Sequence, residues 1–280
     1  MLNNAKTAAL LAGLGGLIML VGSLIGGSSG LMFGLVIALV TVGGSYWFSD
    51  KLAIASARAQ EVSEQQFPQY YATVRDLVQR ANLPMPRLYV APNPQPNAFA
   101  TGRGPAHAAV CVNQGLMDQL SWDEIQGVLA HEISHVRNRD ILTTSVAAAV
   151  AMGITFAARM AAFGAMFGGG RNDREGGGIA DLLMIFLAPV AAGVLQMALS
   201  RSREFEADAS AARLLGTGEP LARALEKLEM GVRVTPVVVN QAQASAYIVN
   251  PLRTGAFAKM FSTHPTTAER ISRLRSGAWQ

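Results

Sequence analysis

The N-terminal part of the chain is a long apolar stretch divided by a short polar one. No charged residue occurs from Thr7 to Ser49, and a run of glycine and serine at residues 26–30 divides that stretch. A bilayer core ~30 Å thick needs ~20 apolar residues per helix. The pattern therefore predicts a transmembrane helical hairpin with spans at residues 8–25 and 31–48. The apolar stretch is too long for a cleaved signal peptide and lacks a clear cleavage site.

The periodicity changes after the hairpin. Apolar residues at helical spacing predict an amphipathic helix over residues 59–81. Five prolines in residues 84–96 then exclude a helix. Strand-like runs at residues 87–90, 98–101 and 108–113 predict a small sheet.

A second helical region follows the predicted sheet. Ser121 and Glu124 have the spacing of a capping box that opens a helix. Two further apolar segments lie at residues 141–158 and 182–200, on either side of a glycine-rich loop at residues 168–178. Each segment is long enough to span a bilayer. Arg159 and Pro189 leave open the alternative of apolar helices partly buried in protein.

These patterns predict a mainly helical α+β protein in four parts. Residues 1–50 form the transmembrane hairpin, and residues 51–140 form the first part of a folded domain. Residues 141–200 form the second apolar helix pair, and residues 201–280 complete the folded domain.

Composition and charge narrow the functional classes. Half of the residues are hydrophobic, 15% are charged, and the net charge is +4. That excess is small and dispersed, without a basic stripe interleaved with aromatic residues, so nucleic acid is not an expected partner. Lys6, Lys51 and Arg58 flank the hairpin, which predicts that both of its ends face the cytoplasm. Cys111 is the only cysteine, which excludes a thiolate zinc site, and its apolar neighbours predict a buried residue.

Candidate chemistry lies in the helix that the capping box opens. His131 and His135 are four residues apart, so they share one helix face and can bind a single metal ion. Glu132 is rotated by ~100° from His131, which places its carboxylate beside the metal rather than on it. This spacing is typical of zinc peptidases, in which the glutamate is the general base.

A catalytic zinc ion usually has three protein ligands and one open position. Glu204 is the preferred third ligand, with Asp208 on the same helix face as the acceptor of a hydrogen bond from a ligand imidazole. Glu206 is the second choice. In the alternative interpretation, Glu204 and Asp208 belong to a surface network with neighbouring arginines.

Three segments together resemble the HtpX-type membrane zinc peptidases, which are relatives of the CaaX prenyl endopeptidases. They are the zinc motif at residues 131–135, the segment from Asn97 to Gly102, and the segment from Ser202 to Asp208. The resemblance covers nearly the whole chain. It implies a gluzincin fold, one Zn²⁺ per subunit with Glu204 as the third ligand, and a protease of quality control and envelope stress. It also implies a multi-pass protein of the bacterial inner membrane whose catalytic domain faces the cytoplasm.

The resemblance assigns roles that spacing alone does not. It implies that the strand formed by Asn97, Ala98, Phe99 and Ala100 is a sheet edge that binds an extended polypeptide. It also implies that the segment with His264 and Arg270 packs near the active cleft, where either residue would stabilise the oxyanion. The alternative for these two is a helix cap and a surface arginine.

Two other functions are compatible with parts of this pattern. One is a catalytically inactive membrane scaffold that recognises damaged proteins, although the proposed catalytic groups are all present. The other is a metal transporter, which would need His131 and His135 inside a membrane span. The polar residues that follow His135, from Arg137 to Asp140, disfavour that location.

Overall fold

A computed structural model describes residues 2–146, 201–234, 248 and 265–280. Most of the predicted second apolar pair, together with His264, lies outside the described residues. The described elements are α1 (Leu2–Ser56), β1 (Gln60–Glu61), α2 (Pro68–Ala81), β2 (Arg87–Ala91), β3 (Ala98–Gly102), β4 (Ala108–Asn113), α3 (Gln114–Gln119), α4 (Trp122–Arg137), α5 (Arg201–Leu215), α6 (Glu219–Val234) and α7 (Thr267–Arg275).

Helix α1 reverses direction at the predicted glycine-serine break. Gly27 has φ +58°, a left-handed conformation that does not occur inside a regular right-handed helix. Ala8, Leu11 and Tyr46 line one cavity, whereas a straight helix would separate residues 8 and 46 by roughly 57 Å. The arms before and after Gly27 therefore lie side by side. By length and hydropathy together, no helix in the described ranges qualifies as a membrane span.

The helix predicted over residues 59–81 is shorter than its periodicity suggests. Gln60–Glu61 form the edge strand β1, and α2 begins only at Pro68. Pro68 occupies the first turn, where its missing N–H costs nothing, but it would break a helix that had begun earlier. The prediction is therefore wrong for residues 59–67.

The three predicted strands are present and form one sheet with β1. The strand order is β1-β2-β4-β3, and β2 and β4 are parallel while the other pairs are antiparallel. Strand β4 is buried throughout, and Cys111 within it is inaccessible, as predicted. Burial raises the pKa of the Cys111 thiol to about 12. Among the described strands, β3 forms the second edge of the sheet.

Helix α4 is the central element of the described fold. Its predicted capping box is confirmed, because Ser121 and Glu124 each bond the other's backbone N–H. Helices α5 and α6 both pack against α4, and its apolar face is fully buried. The close crossing with α6 occurs at Gly127, where a β-carbon would lie 2.5 Å from the backbone nitrogen of Leu221.

Gly127→Ala is expected to destabilise the protein by about 1–3 kcal/mol, because the added methyl group would clash with the backbone of α6 and force it to shift. Gly231→Ala in α6 is the matched control, since its β-carbon would meet only the flexible Gln119 side chain at 3.4 Å. We expect the control to be neutral or stabilising, because alanine favours helix. Chemical denaturation of both variants checks the prediction, and equal stabilities would contradict the close crossing.

Candidate active site

Two imidazoles converge on the face of α4 that meets α5. The Nε2 atoms of His131 and His135 lie 3.1 Å apart, and the rings are nearly perpendicular with centroids 4.6 Å apart. This follows from their four-residue spacing on one helix face. His131 is buried, whereas the side chain of His135 retains 16% exposure. The pair is therefore accessible from the His135 side.

Helix α5 brings the third candidate ligand to the imidazoles. One carboxylate oxygen of Glu204 lies 3.7 Å from Nε2 of His131, and the other lies 3.7 Å from Nε2 of His135. Glu206, the second choice, instead extends outward with a 59% exposed side chain and pairs with Arg213. Because Glu204 and Asp208 are both buried, the interpretation as a surface charge network is wrong for them.

A carboxylate also contacts Nδ1 of each imidazole, on the side opposite Nε2. Nδ1 of His131 lies 2.9 Å from Asp208, and Nδ1 of His135 lies 3.1 Å from Asp140. A carboxylate at Nδ1 favours a proton on that nitrogen and leaves the Nε2 lone pair free for a metal ion. Asp208 was predicted for this position.

The equivalent partner of His135 is Asp140, which the sequence pattern did not predict. It follows the C-terminus of α4 and sits next to Arg139, which has φ +57°. That left-handed residue turns the chain back, so that Asp140 is buried against His135. A carboxylate five residues after the second histidine is a weak signal by itself, because the turn that directs it inward is not evident from the sequence.

The donor set fits a zinc ion. His131, His135 and Glu204 each offer one atom, and these atoms all lie within 4.8 Å of one another. Tetrahedral coordination with bonds of ~2.0–2.2 Å separates ligand atoms by roughly 3.3–3.6 Å, close to the observed spacings. The surroundings also favour a cation. Burial alone would lower the pKa of His135, but nearby carboxylates, Asp140 foremost, raise it to about 10.

Glu132 lies beside this group and contacts the sheet. Its Oε2 accepts a hydrogen bond of 2.8 Å from the backbone N–H of Ala100 in β3. Burial raises the pKa of Glu132, and the repulsion from Glu204 adds to the increase while the two imidazoles oppose it. A buried carboxylate with a raised pKa, next to the candidate metal ligands, has the properties of a general base.

The predicted substrate strand, residues 97–100, corresponds to the first three residues of β3 and the residue before it. Ala98, Phe99 and Ala100 belong to β3, and the backbone N–H of Ala100 donates its hydrogen bond to Glu132. Asn97 precedes the strand and is buried, and its side-chain oxygen accepts a hydrogen bond from the N–H of Ile248. The structure therefore places the edge of β3 beside the candidate catalytic group.

Arg270 is among the most deeply buried side chains described, with 1% exposure. Its guanidinium donates two hydrogen bonds to Asp208, at 2.7 and 2.8 Å, and one to the carbonyl of Ile248 at 2.9 Å. It also lies 3.8 Å from Glu204. The alternative of a surface arginine is therefore wrong, and the helix cap is Thr266. These bonds hold the pKa of Asp208 at about 2, although burial alone would raise it.

Arg270→Gln is expected to destabilise the protein by ~3–5 kcal/mol and to weaken zinc retention, because it leaves the buried Asp208 without its counter-ion. Arg270→Lys restores the charge and should recover part of both properties. Arg275→Gln in the same helix is the control, since Arg275 pairs with Glu219 and Glu226 at the surface. Thermal unfolding and zinc content measure the effects. Equal losses in the Arg270 and Arg275 glutamine variants would contradict this arrangement.

A histidine pair, a third acidic ligand from a second helix and a buried glutamate beside a sheet edge define the active-site class of the zinc metallopeptidases. Comparison with known proteins supports that class. The model of peptidase family M48 matches residues 64–278, so the chain belongs to this family.

Full-length relatives agree with the family assignment. A "Protease HtpX homolog" from Syntrophobacter fumaroxidans is 51% identical over 276 residues, which cover 97% of this chain and 98% of that protein. Another from Pelotomaculum thermopropionicum is 49% identical over 280 residues and is covered completely. The resemblance seen in the sequence is confirmed, and the chain is a zinc-dependent metallopeptidase.

The fold also resembles a solved structure. The crystal structure of S. mikatae Ste24p matches with a TM-score of 0.54 at 20% identity. The match covers 96% of this chain but only 64% of the Ste24p chain. At this identity the similarity concerns the fold alone.

Proposed function

We propose that this protein is a membrane-anchored endopeptidase that hydrolyses extended segments of misfolded or damaged proteins, including membrane proteins. The observation that carries the proposal is the position of Glu132, between the three candidate metal ligands and the edge of β3. A peptide bound along that edge would lie next to the general base. The alternative, an inactive scaffold, has no observation in its favour.

His131, His135 and Glu204 would hold the zinc ion. When bound, zinc polarises the scissile carbonyl and lowers the pKa of its water towards ~7. Asp208 and Asp140 fix the orientation of the two imidazoles, and Arg270 fixes Asp208 in turn. Arg270 would thus act on the site through Asp208 as a positioning residue. The predicted stabilisation of the oxyanion by His264 or Arg270 stays a prediction.

Glu132 would act as the general base. It takes a proton from the attacking water and returns it to the leaving amine. The N–H of Ala100 holds one of its oxygens, which leaves the other to face the water. Burial keeps the carboxylate out of bulk solvent, so that its basicity is higher than that of an exposed glutamate.

Substrate binding would use the edge of β3 that pairs with none of the described strands. An extended polypeptide added there gains main-chain hydrogen bonds that depend little on side chains. That mode suits a protease acting on many unfolded segments. The partly exposed His135 marks the open side of the site, whereas His131 and Glu204 are closed off by protein.

Membrane anchoring is supported by the first helix. Its second arm has large exposed apolar side chains, including Phe33 at 70% and Val40 at 70%. An uncovered apolar surface of this kind is unusual in water. With the flanking charges of the sequence, it supports a location in the bacterial inner membrane, with more than one span and the catalytic domain in the cytoplasm.

Digestion of casein and of an unfolded membrane protein by the full chain in detergent tests the proposal. We expect o-phenanthroline to abolish cleavage, its non-chelating isomer to leave it unchanged, and added zinc to restore it, because the metal supplies the activated water. A scaffold would bind the unfolded substrate without cutting it in any of these conditions, which would contradict the proposal.

A further inference from the structure

A cavity of ≈ 380 Å³ lies between α1 and the catalytic domain, and none of the three candidate zinc ligands lines it. Both arms of α1 contribute to it, through Ala8 and Leu11 on one side and Tyr46 on the other. Arg103, just after β3, and Arg139, just after α4, line the opposite wall. Its volume is in the range of small-ligand sites, and nothing in the peptidase mechanism requires it.

The two arginines make this cavity a candidate binding site for an anion. In the described part of the chain, neither guanidinium has a carboxylate within ion-pair distance. Nε of Arg103 is buried and donates a hydrogen bond to none of the described groups. Because a planar guanidinium binds phosphate oxygens in pairs, two arginines that line one cavity favour a phosphate group.

Three consecutive aromatic residues of α1 lie at the position of this cavity along the helix. Tyr46, Trp47 and Phe48 end the exposed apolar arm, and Trp47 and Phe48 are 58% and 52% exposed. Such residues concentrate where a bilayer meets water. The guanidinium of Arg103 stacks on the ring of Trp47 at 4.4 Å. The cavity would therefore lie at the depth of lipid headgroups.

We infer that this cavity binds the phosphate of an anionic phospholipid, with Arg103 and Arg139 as its ligands. This inference rests on the membrane anchoring proposed above. The apolar wall formed by Ala8, Leu11 and Ile141 suits the first methylene groups of the acyl chains. The site also adjoins the zinc centre, since Arg139 directly precedes Asp140, which holds His135.

Native mass spectrometry of the full chain in a non-ionic detergent tests this site, with phosphatidylglycerol and phosphatidylcholine as probes. We expect the wild type to retain phosphatidylglycerol in preference to phosphatidylcholine. Arg103→Gln/Arg139→Gln should bind it on the order of tenfold more weakly per guanidinium removed. Arg103→Lys/Arg139→Lys keeps the charge and should recover part of the binding, which separates lost contacts from misfolding.

Lys51→Gln/Arg58→Gln is the matched control, because it removes two positive charges near the end of α1 but outside the cavity. An equal loss in this control would overturn the site in favour of general surface charge. The site would also be overturned if the double glutamine variant of Arg103 and Arg139 retained as much phosphatidylglycerol as the wild type. Displacement of the lipid by inorganic phosphate alone would show a free-phosphate site and overturn the lipid assignment.

Two parallel measurements separate this inference from the proposed function. Casein digestion reports the peptidase, and flotation with phosphatidylcholine vesicles reports membrane anchoring without an anionic headgroup. If the protein digests casein and floats with the vesicles but shows no preference for phosphatidylglycerol, only the lipid site is overturned. Lack of digestion would overturn the proposed peptidase while leaving the lipid preference measurable.

Discussion

Replacing Glu132 by glutamine is expected to lower the turnover number by ~10²–10⁴-fold while zinc stays bound. Glutamine has nearly the same shape and can still accept the hydrogen bond from the N–H of Ala100, but it cannot take a proton from water. The three candidate metal ligands are untouched. The change therefore separates proton transfer from metal binding.

Peptide hydrolysis and zinc content, measured on the same preparation, check this expectation. Asp123→Asn is the control, because it neutralises an exposed carboxylate in the first turn of the same helix. It should leave both quantities close to the wild type. Cleavage at the original rate by the Glu132 variant would show that another group accepts the proton.

Replacing Glu204 by alanine is expected to weaken zinc binding by at least ~10²-fold and to abolish activity, because it removes one of three protein ligands. It also leaves Arg270 without the nearby charge at 3.8 Å. Glu206→Ala, two residues further along α5, is the matched control, since that side chain is exposed and faces Arg213.

Elemental analysis after dialysis against a weak chelator measures the zinc retained by each variant. We expect zinc loss only in the Glu204 variant. Full zinc content in the Glu204 variant, with loss in the Glu206 variant, would move the third ligand to Glu206 and contradict the geometry described above.

Local sequence signals predicted much of the fold. The strands are bounded by proline and glycine, so their limits agree with the structure to within a residue. The capping box at Ser121 likewise fixed the start of α4. The helix prediction fails at residues 59–67 because Pro68, rather than the apolar spacing before it, sets the start of α2.

The site was predictable only where its residues are close in sequence. His131, Glu132 and His135 share one helix, and Glu204 and Asp208 share another, so spacing identified them. The bond from Arg270 to Asp208 spans 62 residues and depends on how α7 packs against α5. The contact of Asp140 with His135 depends on the left-handed conformation of Arg139, which the sequence does not reveal. Such contacts are set by tertiary packing, which no local pattern encodes.

We expect one zinc ion to be bound by His131, His135 and Glu204. Anomalous diffraction at the zinc edge, from crystals of the full chain, would locate the ion. A single strong peak is expected within ~2.0–2.2 Å of the two Nε2 atoms and the Glu204 carboxylate. A peak elsewhere, or one whose third protein ligand is not Glu204, would contradict this expectation.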